Sequence, residues 1–316
     1  MDLLFCNDYM PDLSGGIQAA LPDHRVRSCP EADVAEHAGD AAVLLPARAV
    51  IDARVLDASP KLQLVQQPGV GLDAIDVAAA NARGVRVANV PSADGGLAQA
   101  VAEMALFLLI GGGRRYPRLL EGIRTQDWNV PFGHSLFGSR VCVIGLGGIG
   151  SQLVRLLQPF GCEIVGVRRT PRDADVQELG LVSVHSPDEL HEAVRGCRFI
   201  ALATPLTPET EGMINADSIA AMDDDAVIVN VARGHVIDRE ALIDALRSGK
   251  LSTAGIDVFW EEPVDPTDPL FDHEVFVTPH ASNACDAFVR ETSAGVAENV
   301  RRLIAGEPLL WEAKAP

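Results

Sequence analysis

The sequence predicts an α/β chain of two doubly wound, parallel-sheet units. Three observations predict it. Short β-branched runs alternate with amphipathic stretches, the pattern of parallel strands covered by helices. A length of 316 residues exceeds one average domain. After a turn-like segment at residues 129–138, a second strand-helix series opens.

In the first hundred residues, 2–6, 42–45, 62–66 and 85–88 read as strands, and 52–57 and 74–83 as helices. The second helix is Ala-rich and is followed by Gly84, a typical stop. Residues 96–110 read as a long helix, Gly111 to Gly113 as its break, and 116–125 as another helix. The later strands are expected at 140–144, 163–167, 199–203, 226–231, 254–259 and 275–278, with a last helix over 283–305. The boundary between the units falls near residue 97.

Composition removes several function classes. A hydrophobic content of 47% is ample for a core and argues against disorder. A net charge of -18 disfavours a nucleic-acid partner, which needs a basic surface, but leaves room for a small anionic substrate held by a few local cations. Cys6, Cys29, Cys142, Cys162, Cys197 and Cys285 include no CxxC pair, and a chain this large needs no staples, so they read as reduced thiols. The N-terminus carries acids where a signal peptide carries bases, and the strongest apolar run, 101–110, is far below bilayer length. A cytoplasmic protein with no membrane segment and no metal site is expected.

The string Val141-Cys142-Val143-Ile144-Gly145-Leu146-Gly147-Gly148-Ile149-Gly150 is a buried strand running into GxGxxG, followed by Leu153, Val154, Leu156 and Leu157 at helical spacing. Gly145 allows the tight turn, Gly147 the close approach of a pyrophosphate, and Gly150 tight helix-strand packing. The phosphates then sit over unpaired amides at the helix N-terminus, those of Gly148 and Ile149 among them. Alone, such a motif is weak. With a strand before it, a helix after it and a second strand at the right distance, a dinucleotide site is expected rather than an ordinary turn.

The next strand ends in Arg168-Arg169-Thr170-Pro171-Arg172. NAD binders usually place Asp or Glu there, about twenty residues past the glycines, on the ribose 2′-OH. This chain has Arg168, and no acid before Asp173. A carboxylate would repel a 2′-phosphate, whereas guanidinium pairs with it through two hydrogen bonds. NADP(H) is therefore expected ahead of NAD(H), against the alternative of a solvated basic loop.

Open parallel sheets bind ligands beyond the carboxyl ends of their strands. Three such ends lead into Arg233, Glu262 and His280. Singly, Glu262 reads rather as a solvated acid beside Asp257 and Glu261, while Arg233 and His280 read equally as a turn cap and a loop histidine. Together, they suit reduction of a 2-oxoacid. Histidine exchanges the proton near neutral pH, a carboxylate on the imidazole favours its charged form, and arginine holds the substrate carboxylate and polarises the carbonyl. Near a nucleotide loop, that functional reading wins.

Along nearly its whole length the chain resembles the D-isomer-specific 2-hydroxyacid dehydrogenases. The resemblance rests on Gln67-Pro68-Gly69-Val70-Gly71-Leu72-Asp73-Ala74-Ile75-Asp76, the Gly145–Gly150 loop, Pro205-Leu206-Thr207 with Thr210, Asn230-Val231-Ala232-Arg233-Gly234, Gly255-Ile256-Asp257-Val258-Phe259 with Glu262-Pro263, and Thr278-Pro279-His280. It implies Arg233 as the substrate arginine, Glu262 as the acid paired with histidine, and His280 as the acid/base. It further implies Asp257 on the nicotinamide carboxamide, Thr204, Pro205 and Val231 along the cofactor cleft, and Val70 and Gly71 as amides on the substrate carboxylate. Two Rossmann-like domains with a cleft between them are implied: 1–96 plus 284–316 for substrate, 97–283 for the dinucleotide. So is a homodimer built around residues 96–126.

Within the family, Arg169, Thr170 and Arg172 are similar to the NADPH-using glyoxylate and hydroxypyruvate reductases. Pro46 stands where phosphoglycerate dehydrogenases carry a phosphate-binding arginine, which argues against a phosphorylated substrate. The competing expectations are an NAD-dependent dehydrogenase of another 2-hydroxyacid and a non-catalytic dinucleotide sensor on the same fold. The substrate pocket is expected near residues 46–48 and 68–72, with His134 and Asn283. Trp260 and His235 carry no assigned role.

Overall fold

The apolar runs of the sequence become strands with few exposed residues, as parallel sheets covered by helices require. Val43–Leu45 is wholly buried, and Arg140–Ile144 is buried beyond its first residue. The computed structural model describes residues 1–91, 97–129 and 131–314. The chain divides into two units, Met1–Leu97 with Ala284–Pro316, and Ala98–Asn283.

The first unit begins with β1 (Asp2–Phe5), α1 (Pro11–Ala20), β2 (Arg25–Ser28), α2 (Val34–His37) and β3 (Val43–Leu45). It continues through α3 (Ala53–Asp57), β4 (Leu64–Gln67), α4 (Val77–Ala82) and β5 (Arg86–Asn89). The short helices start where carboxylates cap them: Asp52 accepts from Val55 N at 3.0 Å, and Asp76 from Ala79 N at 2.8 Å. The helix expected from residue 74 therefore begins at Val77. Residues 74–76 are held instead by Ile75 bridging to Ile51 and by the cap itself.

The second unit contains α5 (Leu97–Gly113, its first residue in the first unit), α6 (Tyr116–Thr125), β6 (Arg140–Ile144), α7 (Gly148–Leu157), β7 (Glu163–Val167), α8 (Asp173–Leu179) and β8 (Ser183–His185). Then come α9 (Leu190–Val194), β9 (Phe199–Leu202), α10 (Ala216–Ala221), β10 (Ala226–Asn230), α11 (Arg239–Ser248), β11 (Leu251–Ile256) and β12 (Val275–Val277). The sheet order is β12-β11-β10-β9-β6-β7-β8, and every pairing is parallel. One core joins β6, β7, β9, β10 and β11 to α9, α10 and α11.

Two expectations are corrected here. Gly111, Gly112 and Gly113 do not break a helix; α5 runs through all three. A Cβ at Gly111 would collide with the ring of Phe276, one at Gly113 would lie 2.8 Å from Phe199 Cε1, and one at Gly112 would lie 3.2 Å from Val227 Cγ1. The glycines let the helix backbone lie directly on the sheet, and that close approach outweighs their helix-breaking cost of about 1 kcal/mol each. Gly96, the expected first residue of that helix, lies outside the described residues. The strand expected at 254–259 runs instead from Leu251 to Ile256, so the chain leaves the ladder at Asp257.

The chain then supplies α12 (Asp286–Ala305) and β13 (Glu312–Ala313) to the first unit. Gly16 of α1 packs so tightly on α12 that a Cβ there would reach Ser293 Oγ at 2.6 Å. Buried Asn299 donates to Gln66 Oε1 at 2.7 Å. The first sheet has the order β13-β5-β4-β3-β1-β2, antiparallel only at β13, where Arg86 pairs twice with Glu312 at 2.8 Å. Among the described residues no single helix is long and apolar enough to cross a membrane.

Candidate active site

Because the second sheet is parallel, β6, β7, β9, β10, β11 and β12 deliver their following loops to one edge. Gly145 leaves β6 at φ 98, a conformation that favours glycine. A Cβ there would lie 2.6 Å from Ala203 O and 2.8 Å from Thr204 N, so this turn packs on the loop after β9. A Cβ on Gly150 would collide with Gly145 O, whereas one on Gly147 would meet nothing of the protein. Gly147 caps α7 without a side-chain acceptor for the first amides. A tight turn, an open approach and uncapped amides fit the pyrophosphate of a dinucleotide. Thr210 fixes the loop bearing Thr204 and Pro205, its hydroxyl donating to Pro205 O at 2.7 Å and accepting from Thr207 N at 2.8 Å.

At the end of β7, Arg169, Thr170 and Arg172 are exposed and Arg168 is half-buried. Arg168 and Arg172 both bind Asp175, with Arg168 Nη1 at 2.8 Å from Oδ1. The Arg172 guanidinium beside it holds the Asp175 carboxyl below the usual range. The basic loop is thus built over an acid that sequence reading passed by.

The other end of the edge carries Glu262 and His280. Glu262 Oε1 accepts from Phe259 N at 3.0 Å, and Oε2 lies 2.7 Å from His280 Nδ1. An ionised carboxylate can only accept, so Nδ1 carries hydrogen and Nε2 is the nitrogen left for chemistry. Ring and acid are 27% and 23% exposed, shielded yet reachable. His280 has φ 51, and its loop is pinned by Asp257. The fully buried Asp257 carboxylate accepts from Thr278 Oγ1 at 2.6 Å, Ala281 N at 2.9 Å and Ser282 N at 3.3 Å, while its carbonyl accepts from His280 N at 2.7 Å.

Arg233 follows β10 in a turn bridged by buried Asn230, which donates to Arg233 O and accepts from Ala232 N, both at 2.9 Å. Nη1 of Arg233 donates to Ala232 O at 2.7 Å. Val231, at the root of this turn, is buried. A Cβ on Gly234 would collide with the backbone of Phe259 and Trp260. Glycine therefore lets the arginine turn lie against the loop whose amide holds Glu262. Neither Asn230 nor Gly234 was assigned from sequence, although both stand inside the quoted Asn-Val-Ala-Arg-Gly string.

In the first unit, Val70 and Gly71 follow β4. Asn89 donates to Val70 O at 2.8 Å, and Gln67 to Gly71 O at 2.8 Å and Ala47 O at 2.9 Å. Each fixed carbonyl fixes the opposed amide of the next residue, because the peptide unit is planar. His134 departs from the substrate-pocket expectation: its Nε2 lies 2.6 Å from Asp225 Oδ2, just before β10, at the opposite edge of the sheet. Trp260 donates its indole N–H to Ile237 O at 2.8 Å, a packing role.

Residues 106–282 match the family model described as D-isomer specific 2-hydroxyacid dehydrogenase, NAD binding domain. The chain is 37% identical over 288 residues to D-3-phosphoglycerate dehydrogenase of Mycobacterium tuberculosis, covering 90% of this chain but 52% of that protein. It thus spans about half the length of the phosphoglycerate dehydrogenases it matches. To glyoxylate reductase of Korarchaeum cryptofilum it is 36% identical over 264 residues, 81% of this chain and 77% of that one. The NADPH-dependent glyoxylate/hydroxypyruvate reductase of Sinorhizobium meliloti, solved with NADP and malonate, superposes with a TM-score of 0.83 at 28% identity, covering 99% and 96% of the two chains. The chain belongs to the D-isomer-specific 2-hydroxyacid dehydrogenase family.

Proposed function

We propose that this protein reduces a small 2-oxoacid of the glyoxylate or hydroxypyruvate kind to the D-2-hydroxyacid, with NADPH as its preferred cofactor and NADH as a possible substitute. The observation that carries the reading is the 2.7 Å Glu262–His280 pair, which leaves Nε2 for proton exchange on the sheet edge that also bears the glycine turn and Arg233. When bound, NADPH supplies the hydride for the carbonyl carbon. His280 Nε2–H gives the carbonyl oxygen its proton, and Glu262 stabilises the charged ring before transfer. Arg233 pairs with the substrate carboxylate and polarises the carbonyl.

Gly145, Gly147, Gly148, Ile149 and Gly150 hold the pyrophosphate, with Thr204, Pro205 and Val231 beside the cofactor and Asp257 on the carboxamide. Arg168, Arg169, Thr170 and Arg172 receive the 2′-phosphate. Residues 1–96 with 284–316 serve the substrate, through the Val70 and Gly71 amides, and 97–283 serve the dinucleotide. The absence of an acid directly after β7 supports NADPH, and so does the likeness to the Sinorhizobium reductase. Pro46 supports an unphosphorylated substrate. Free thiols suit the cytoplasm. Phe107, Ile110, Tyr116 and Ile123, exposed along α5 and α6, suit a homodimer contact.

A panel of 2-oxoacids, assayed with NADPH and NADH, together with D-3-phosphoglycerate oxidation, tests the reading. The expected result is the highest kcat/KM for a small oxoacid with NADPH. A preference for NADH, or for the phosphorylated substrate, would move the chain to another branch; cofactor binding without any turnover would make it a sensor.

A further inference from the structure

The first turn of α8, just beyond the basic loop after β7, carries an acid with no place in the reaction. Asp175 has no exposed surface of its own, and the groups hydrogen-bonded to it are Arg168 and Arg172. Oδ1 accepts from Arg168 Nη1 at 2.8 Å, from Arg172 Nε at 2.9 Å and from Arg172 Nη2; Oδ2 accepts from the backbone N of Arg172 at 3.0 Å. Two guanidiniums thus converge on one oxygen atom. Arg168 remains 30% exposed and Arg172 55% exposed, so each keeps a solvent-facing side.

Like charges this close repel unless an anion stands between them. We propose that Asp175 is a positioning residue for cofactor selection: it gathers Arg168 and Arg172 into a pair that meets the ribose 2′-phosphate together. The inference rests on the NADPH reading. A bare carboxylate would oppose a second anion. Here its oxygens are occupied by donors; exposed Glu178 also meets Arg172 Nη2 at 3.3 Å, so an arriving phosphate pairs with the guanidinium edges that neither acid occupies. What Asp175 removes in net charge it returns as alignment, since long side chains otherwise lose rotamer freedom on binding. The Arg172 hydrogen bonds hold the Asp175 carboxyl below the usual range, so the clamp stays charged at neutral pH.

The test measures binding of 2′,5′-ADP and of ADP by calorimetry to the wild type, Asp175→Asn and Asp175→Glu, with NADPH and NADH kinetics alongside. Asp175→Asn is expected to weaken 2′,5′-ADP about tenfold, the usual scale for losing a support one contact removed from a ligand. ADP affinity and kcat with NADH should hold, the KM for NADPH should rise, and Asp175→Glu should recover part of the loss. Should Asp175→Asn bind 2′,5′-ADP as tightly as the wild type or tighter, the acid only subtracts charge and the proposal fails. Equal loss of both ligands would also overturn it, leaving a fold-supporting cap. Should Asp175→Asn be too unstable to measure, Asp175→Glu, which keeps the charge but moves the carboxylate, is expected to weaken 2′,5′-ADP by a smaller factor with ADP unchanged, and wild-type binding of both ligands would overturn the proposal. A wild type that does not distinguish 2′,5′-ADP from ADP would instead sink the NADPH reading, and this inference with it.

Discussion

Glu262 and Asp175 stand after β11 and β7 and divide their oxygens alike: one accepts a backbone amide, the other a basic side chain. Their partners differ. Glu262 holds an imidazole, a ring that can donate a hydrogen bond or accept one, and the pair remains about a quarter exposed. Asp175 holds guanidiniums, which only donate, and has no exposed surface of its own beneath them. Proton transfer needs a ring that can still reach a ligand with one nitrogen. Recognition of a fixed charge needs no titration and tolerates a closed anchor. In the proposed reading, the same local device serves chemistry at one end of the sheet edge and cofactor selection at the other.

The largest effect that would separate these ends is expected for His280→Ala. Turnover should fall by roughly 10²–10⁴, the general-acid contribution, while dinucleotide affinity stays nearly intact. A variant with near-normal kcat would break the contrast. Arg233→Ala should lower kcat/KM for the oxoacid by about 10²–10³ and raise its KM, with cofactor affinity unchanged in titrations. Glu262→Gln should cost about tenfold in kcat, one charge-assisted hydrogen bond, without altering the NADPH/NADH ratio. A shift in that ratio would mean that the two ends are not independent.

Two glycines sharpen the picture further. Gly234→Ala forces a side chain into the backbone of Phe259 and Trp260 and should lower stability by about 1–3 kcal/mol, read as a fall in the thermal midpoint. Gly147→Ala, whose Cβ meets no protein atom, should leave the midpoint alone and weaken the dinucleotide. If Gly147→Ala lost stability and kept the cofactor, the open side of that turn would have been misread.

Strands flanked on both sides, β11 apart, were legible because burial demands continuous apolar runs: β6 and β7 have the bounds that the sequence suggests. The strands β2 and β8 were not. Each is an edge strand with one neighbour, and sequences such as Arg-Val-Arg-Ser need little hydrophobicity there. The helix α1 was hidden by Gly15 and Gly16, the second of which exists for contact with α12. Gly111 to Gly113 misled for the same reason, since a glycine permits both a break and a close approach, and only the neighbour decides.

The candidate site was legible where the role proposed for a residue is chemical in itself, as for Arg233, Glu262 and His280. It was not legible where a residue acts through another. Asn230, Gln67 and Asn89 are amides that hold turns, and their partners are backbone atoms that sequence does not display. Asp175 left a faint signal, three residues beyond Arg172 at helix-cap spacing.

The most direct measurement is a crystal structure with NADP and an unreactive 2-oxoacid analogue such as oxamate. The account predicts His280 Nε2 within about 2.6–3.2 Å of the analogue's carbonyl oxygen, with the Arg233 guanidinium on its carboxylate. An imidazole turned away from the nicotinamide, with no path to that oxygen, would contradict it.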